Sequence, residues 1–452
     1  MTVLDALGPD GEYRTRKREL ITDVCGTPVA EMTVVPPLYV ARTVNALRKR
    51  RPLPAAEREA ALARAATMFL SDEIAGFDFE GYVDLASRVS GLPIAVTRAG
   101  ARSVADQVVA VDESLRAAQP RGAERDHRAI HGGGSVWARR GEVFAVHASG
   151  NAPGVHGLWP QALALGYRVA VRPSRREPFT GQRLITALRE SGFRAGDVCY
   201  LPTDYAGADE IIRAADLAMV YGGQDVVDKY ASEESVWVNG PGRAKILVAA
   251  DQDWREHLEM IVESICTFGG TACVNATAVL VEGDAAALAD AIAQRLSTVA
   301  PLSISDEAAV LPVMSTAAAR SIAEFLSVRA AGTTALLGAD QVVADLGDGT
   351  AALRPAVHLL PRPDAVRLNT ELAFPCVWVS TWARKDGLEP LRRSLVVTVI
   401  TEDEQLVGEL VDEPTIPNVY SGRIPTWFSA PHIPHDGFLA DFLMRNKGFI
   451  RG

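Results

Sequence analysis

Hydrophobic and polar residues follow a helical rhythm early in the chain and a mixed strand–helix rhythm later. Residues 1–36 keep no sustained period and are broken by Gly and Pro, so an irregular lead-in is expected. Residues 37–49 and Ala55–Ser71 repeat at helical spacing. In the second, Ala61, Leu62, Ala65, Ala66, Met68 and Phe69 form an apolar stripe opposite Glu57, Arg58, Glu59 and Arg64. Two more helices, Phe79–Ser90 and residues 97–118, flank Gly91-Leu92-Pro93. This first part carries no polar cluster that points to chemistry and reads as scaffold. Residues 127–140 then read as a β-ribbon turning at Gly132-Gly133-Gly134. Its open edge pairs either with a neighbouring subunit or with its own domain.

From Glu142 the rhythm changes to short apolar runs alternating with helices. Runs at 143–147, 168–172, 198–201, 217–221 and 245–249 are separated by helices at 153–165, 180–191, 207–214 and 226–232. Five such runs predict a parallel, doubly wound α/β sheet, which binds ligands at the carboxyl ends of its strands. A helix over 254–268 leads into a second α/β unit. That unit has strands at 276–281, 334–337, 357–360, 377–381 and 396–400, and helices at 285–296, 316–326 and 387–395. The tail, 425–452, is rich in Pro, His, Phe and Gly, includes a helix over 439–446, and should dock on something.

With 452 residues, 48% of them hydrophobic and 23% charged, two or three domains are expected. No apolar run approaches the ~20 residues of a membrane-spanning helix, and residues 1–19 lack the apolar centre of a secretory signal. A net charge of −10 with interspersed basic residues argues against nucleic acid as a partner. Cys25, Cys199, Cys266, Cys273 and Cys376 are scattered and have no CxxC spacing, which fits a reducing, cytoplasmic setting and not a disulfide framework.

The chemistry concentrates in Phe268-Gly269-Gly270-Thr271-Ala272-Cys273-Val274-Asn275, a thiol between a helix and a strand with small neighbours. Such a cysteine is either packed as a small hydrophobe or presented as a nucleophile. Three further groups fall at strand ends: Ser149-Gly150-Asn151, Arg172-Pro173-Ser174-Arg175-Arg176 and Tyr221-Gly222-Gly223-Gln224. The Asn151 amide can donate to an oxyanion or cap the next helix, and the arginines match phosphate or belong to a solvated loop. There is no G-x-G-x-x-G, P-loop or G-x-S-x-G. Pro431-His432-Ile433-Pro434-His435-Asp436 has metal-ligand residue types, but prolines between the ligands and the lack of a third cluster speak against a metal.

Taken together, these parts resemble the aldehyde dehydrogenase superfamily from about Val35 to Arg451. Ala148-Ser149-Gly150-Asn151-Ala152-Pro153 stands where the family shows W-N-F-P, and Val171-Arg172-Pro173-Ser174 resembles the start of V-K-P-S-E. Leu217 to Gln224 is similar to the F-T-G-S strand and turn. Val238-Asn239-Gly240-Pro241-Gly242-Arg243 sits at E-L-G-G-K. Gly270 and Cys273 keep the spacing of F-x-N-x-G-Q-x-C, with Phe268 at the asparagine. Asn239 precedes Cys273 by 34 residues, the family's separation of base and nucleophile. Glu371-Leu372-Ala373-Phe374-Pro375 resembles E-I-F-G-P with the phenylalanine displaced by one.

The resemblance implies two doubly wound α/β domains plus a β-hairpin oligomerisation element. The cofactor domain would comprise 1–122 and 141–243, and the catalytic domain 244–424. Residues 123–140 and 425–452 would form the oligomerisation hairpin and C-terminal tail of a homodimer or homotetramer. It further implies Cys273 as nucleophile and Asn151 as oxyanion donor. Arg172, Ser174, Arg175, Arg176, Gly222, Gly223, Glu371 and Phe374 would lie around the cofactor, with no metal.

Two departures shape the expected reaction. Asn239 replaces the glutamate base, and an amide cannot activate water. The site therefore suits exchange of an acyl group with a thiol of CoA or a carrier protein, as in the acylating and bioluminescence-type fatty acyl-CoA reductase branch. Arg175 and Arg176 replace the ribose-binding carboxylate, which favours NADP(H) over NAD(H). The expectation is NADPH-dependent reduction of an acyl thioester to an aldehyde. The alternative is NAD(P)-dependent oxidation of an aldehyde.

Overall fold

The computed structural model describes all residues, 1–452. Two seven-stranded sheets organise it. In the first, the spatial order is Val236–Asn239, Leu217–Tyr221, Val143–His147, Arg168–Arg172, Val198–Tyr200, Ala6–Gly8 and Gly11–Tyr13. The first five strands are parallel; the last two add antiparallel at the edge. Every residue of Val143–His147 is buried, as a strand covered by helices on both faces must be. Val143–His147 and Leu217–Tyr221 are parallel neighbours from which the strand order runs outward in opposite senses, so the crevice of this sheet opens beside Asn151 and Gly222.

The second sheet has the order Thr334–Leu337, Ala356–Leu359, Cys376–Thr381, Ala276–Val281, Ala244–Val248, Val396–Ile400 and Asn418–Ser421, parallel except for its first strand. Asn239 ends the last parallel strand of the first sheet, and Ala244 begins a central strand of the second. The carboxyl ends of one sheet thus face the amino ends of the other, and Cys273, just ahead of Ala276–Val281, lies in that seam. No helix is long and apolar enough to cross a membrane.

Several elements differ from the sequence reading. The lead-in holds five short strands, from Thr2–Leu4 to Pro28–Thr33, two of them completing the first sheet's edge. Their three- to six-residue lengths are too short to set a period. The fifth parallel strand of the first sheet is Val236–Asn239; Ala244–Val248 belongs to the second sheet. Residues 97–118 break at Ala110 into Ile94–Val109 and Val111–Ala118. Residues 387–395 form only a 3-10 turn, Glu389–Leu391, around Pro390.

The expected self-contained ribbon at 127–140 is corrected most clearly. Gly133–Arg139 pairs antiparallel with the terminal strand Met444–Ile450 over seven residue pairs, and Ala123–Glu124 adds in parallel on its other side. The predicted helix 439–446 is accordingly one turn, Leu439–Leu443, followed by that strand. The tail docks on its own chain.

Candidate active site

The Cys273 loop is shaped by backbone constraints on both sides. Phe268, Gly269 and Gly270 adopt φ of 58°, 71° and 67°, three successive left-handed residues that end the helix Leu258–Cys266 and turn the chain back. A Cβ on Gly270 would fall 2.5 Å from Pro375 N, so only glycine lets the loop approach the 374–375 segment. Phe268 bears the left-handed conformation at a cost of about 1–2 kcal/mol. Its ring packs edge-on against Trp427, centroids 6.3 Å apart, tying the loop to the tail.

Asn275 braces the same loop. Its Oδ1 accepts from Ala272 N at 2.9 Å, and its Nδ2 donates to Thr267 O at 2.7 Å and Ser264 O at 3.1 Å. Cys273 stays partly accessible, whereas Cys199 and Cys376 are buried. Burial pushes the thiols of Cys199 and Cys266 up to about 12, and Cys376 higher still, so none of these three offers a thiolate near neutral pH.

Asn151 reaches the nucleophile loop from the other sheet. Ser149 Oγ donates to Asn151 Oδ1 at 2.6 Å, which aims the amide Nδ2 at Thr271 O, 3.4 Å away. The capping alternative does not hold: Ala152 occupies the cap position of the short turn Pro153–His156, and no side chain caps it. The 239–243 loop closes a third side. A Cβ on Gly242 would lie 1.6 Å from the Cys273 carbonyl oxygen, so this loop rests directly on the cysteine backbone. Glu371 Oε2 accepts from Gly242 N at 3.0 Å and holds the loop there. Burial raises the Glu371 pKa, against the opposing pull of those backbone N–H groups and of Arg243 and Lys245. Asn239, 4% exposed, has neither amide atom hydrogen-bonded within the chain. A buried amide with both ends free is a binding group without its partner.

The tail supplies a residue that the sequence reading weighed only as a metal ligand. His435 Nε2 lies 3.3 Å from Cys273 Sγ, and His435 Nδ1 lies 3.0 Å from Asp436 Oδ2. Burial alone would lower the His435 pKa. Cys273 and the Asp436 carboxylate more than offset that, and the imidazole sits well above its ordinary value. The His435 side chain keeps 36% of its surface open to solvent. Its backbone carbonyl accepts from Asn418 Nδ2, which also donates to Leu395 O at 3.0 Å. The histidine comes 162 residues after the cysteine in sequence and from a Pro-rich segment; no local spacing reveals it.

The expected cofactor residues divide. Gly150 packs on Ser174, where a Cβ would come 2.4 Å from Ser174 Oγ, so the two strand-end loops touch. The Nε–H groups of Arg172 and Arg175 are buried without acceptors, which fits a phosphate between them. Arg175 stacks over Tyr205, its guanidinium carbon 5.4 Å from the ring centre. Its Nε lies 3.1 Å from Glu19 Oε2, an ion pair without hydrogen-bond alignment. Arg176 remains exposed, and its guanidinium donates to Ser90 O at 2.8 Å. The expectation for Phe374 is corrected. It is 1% exposed within the second sheet's core and offers no face to a ligand. Gly222 and Gly223 lie at the end of Leu217–Tyr221, beside Tyr221, whose hydroxyl donates to Val155 O.

This geometry coincides with what comparison with known proteins finds. The sequence model of the aldehyde dehydrogenase family matches residues 37–389, and the chain belongs to that family. Its structure is similar to that of aldehyde dehydrogenase 21 from Physcomitrella patens, solved with the reaction product succinate (16% identity, TM-score 0.81, covering 100% of this chain and 98% of that one). It is also similar to gamma-glutamyl-gamma-aminobutyraldehyde dehydrogenase from Burkholderia cenocepacia (18% identity, TM-score 0.83, 99% and 96% covered). A third similar structure is indole-3-acetaldehyde dehydrogenase from P. syringae, bound to NAD+ (16% identity, TM-score 0.83, 98% and 96% covered). At these identities the likeness establishes the fold. A search of curated protein sequences finds no match.

Proposed function

We propose that this chain is an acylating member of the family, which takes an acyl group from a thioester onto Cys273 and reduces it to an aldehyde with NADPH. The observation that carries the reading is Asn239, buried with both amide atoms free on the loop that rests against Cys273. Where an oxidising enzyme needs a base for water, this position holds a group that binds without taking a proton. Hydrolysis of a thioacyl group then lacks a base at the Asn239 position, and exchange with a thiol is favoured.

The chain's own contributions follow from position. Cys273 Sγ attacks the thioester carbonyl. The oxygen that gains charge is met by Asn151 Nδ2, aimed from the opposite sheet by Ser149, together with the Cys273 backbone N–H. Arg172 and Arg175 would hold the adenosine end of the cofactor, and their Nε–H groups, which lack aligned hydrogen-bond acceptors, would favour the 2′-phosphate of NADP(H). Glu371 keeps the Gly242 loop seated, and in this reading it would orient the nicotinamide ribose. A nicotinamide cofactor, when bound there, would supply the hydride chemistry, while Cys273 and Asn151 hold the acyl carbon and its oxygen in place.

A second reading, oxidation of an aldehyde to its acid, draws on family membership and on neighbours that are aldehyde dehydrogenases. His435 would then have to serve as the base for water. A screen of acyl thioesters with NADPH, in parallel with aldehydes and NADP+ with and without CoA, separates the two. The first reading expects thioester-dependent NADPH oxidation that Cys273→Ala abolishes. Aldehyde oxidation at full rate without any thiol would overturn it.

A further inference from the structure

The geometry points to His435 as the catalytic acid–base of the acyl transfer at Cys273, with Asp436 as its positioning residue; this rests on the acyl-transfer reading above and extends it to a residue outside that reading. The arrangement is linear. Sγ of Cys273 stands 3.3 Å from Nε2, and Nδ1 stands 3.0 Å from the Asp436 carboxylate. With Asp436 as acceptor, Nδ1 carries the hydrogen, and Nε2 is left to take the thiol proton. The carboxylate then stabilises the imidazolium that results.

The histidine is held by more than its neighbour in sequence. Asn418 fixes its carbonyl, Thr426 N donates to Ser264 Oγ at 3.2 Å, and Trp427 packs on Phe268 of the nucleophile loop. A Cβ at Gly437, where φ is +101°, would meet the Trp237 ring at 3.0 Å. The chain therefore turns sharply after Asp436 and presses the 435–436 pair into the seam between the sheets. The titratable groups acting on the imidazole are Cys273 and Asp436, and Tyr221 lies close enough to feel both. The Tyr221 phenol is itself held up by burial first and then by Cys273 and Asp436, so it stays neutral.

The step balances as follows. The Sγ–H proton passes to Nε2, and the thiolate attacks the thioester carbon, forming the Sγ–C bond while the carbonyl electron pair moves to oxygen. When that pair returns, the bond from carbon to the departing sulfur breaks. The Nε2 proton transfers to the leaving thiolate, which departs as a free thiol. The reverse sequence deprotonates an incoming thiol. Nothing is oxidised or reduced, and His435 ends as it began.

The test is the pH dependence of Cys273 alkylation by iodoacetamide, followed by peptide mass spectrometry in the full-length wild type, His435→Asn, Asp436→Asn and the control His432→Asn. His432 is neighbouring and 65% exposed. The wild type and the control should keep reacting at pH 6. His435→Asn should lose at least tenfold at that pH and regain the rate only near the ordinary thiol range of about 8.5. Asp436→Asn should fall between them. A His435→Asn profile superimposable on the wild type overturns the assignment. Equal losses at every pH in His435→Asn also overturn it, because misfolding or altered access has no pH signature. Failure of the wild type to use any acyl thioester, with the histidine-dependent profile intact, would refute the substrate reading and leave His435 in its role.

Discussion

Gly242→Ala tests whether the contact between the two sheets sets the reactivity of Cys273. The added Cβ would lie 1.6 Å from the Cys273 carbonyl oxygen, 2.4 Å from its carbonyl carbon and 2.7 Å from its Cα. A carbon–oxygen contact needs roughly 3.3 Å, so the loops must part by about 1.5 Å or more. All three atoms are backbone, and no side chain can swing aside. Overpacking of this kind costs about 1–3 kcal/mol of stability, a range a protein this size survives. The effect on reaction is larger: a misplacement of about 1 Å at reacting groups lowers the rate on the order of 100-fold. Separation also loosens the Gly242 N–H bond to Glu371 and shifts Asn239. The assay is steady-state turnover together with a thermal melt. The expected result is a folded protein, melting a few degrees lower, with kcat/KM reduced about 100-fold. A variant with near-normal turnover would refute the claim that the 239–243 loop seats the nucleophile.

Asn151→Ala should lower kcat by about 100- to 1000-fold with little change in melting temperature, as loss of one oxyanion donor does; an effect on KM alone would remove Asn151 from that role. Glu19→Gln should tighten NADPH binding measured by fluorescence titration, since the carboxylate 3.1 Å from Arg175 competes with a 2′-phosphate, and Arg175→Ala should weaken it. Unchanged affinity in both variants would place the phosphate elsewhere. Stability should fall as pH drops from about 6.5 toward 4. Burial lowers His156 to about 4, and Trp159 Nε1 donates to its Nδ1 at 3.1 Å, so the folded protein refuses a proton that the unfolded chain takes. The loss approaches about 1.4 kcal/mol per pH unit. Urea midpoints at pH 7 and pH 5 measure it, and His156→Gln should reduce the difference.

How much of this was legible beforehand depended on how local the signal was. Leu217–Tyr221, Ala276–Val281, Ala285–Leu296 and Val396–Ile400 match the apolar runs residue for residue, because a fully buried parallel strand or an amphipathic helix writes its environment into its own sequence. The three-residue strands near the N-terminus are held by their partners and carry no period. The predicted helix 439–446 runs three residues into the terminal strand Met444–Ile450, whose pairing partner, Gly133–Arg139, lies some 300 residues away. The site divides in the same way. Cys273, Asn151 and the Gly242 loop sit at strand ends, where spacing and glycine content give them away. His435 arrives through a tail whose path only tertiary packing defines. Arg176 looks like Arg175 in sequence, and only the fold shows that its guanidinium is engaged by the carbonyl of Ser90.

The central claim is that an acyl group on Cys273 is passed to a thiol and not to water. Its most direct test is the intact mass of the protein after brief exposure to an acyl thioester with no nicotinamide present, followed by removal of excess donor. The account predicts one added acyl group, mapped to Cys273, that persists in buffer and disappears on adding free CoA or another thiol. Release of the acyl group as free acid in buffer alone, at a rate matching turnover, would contradict it.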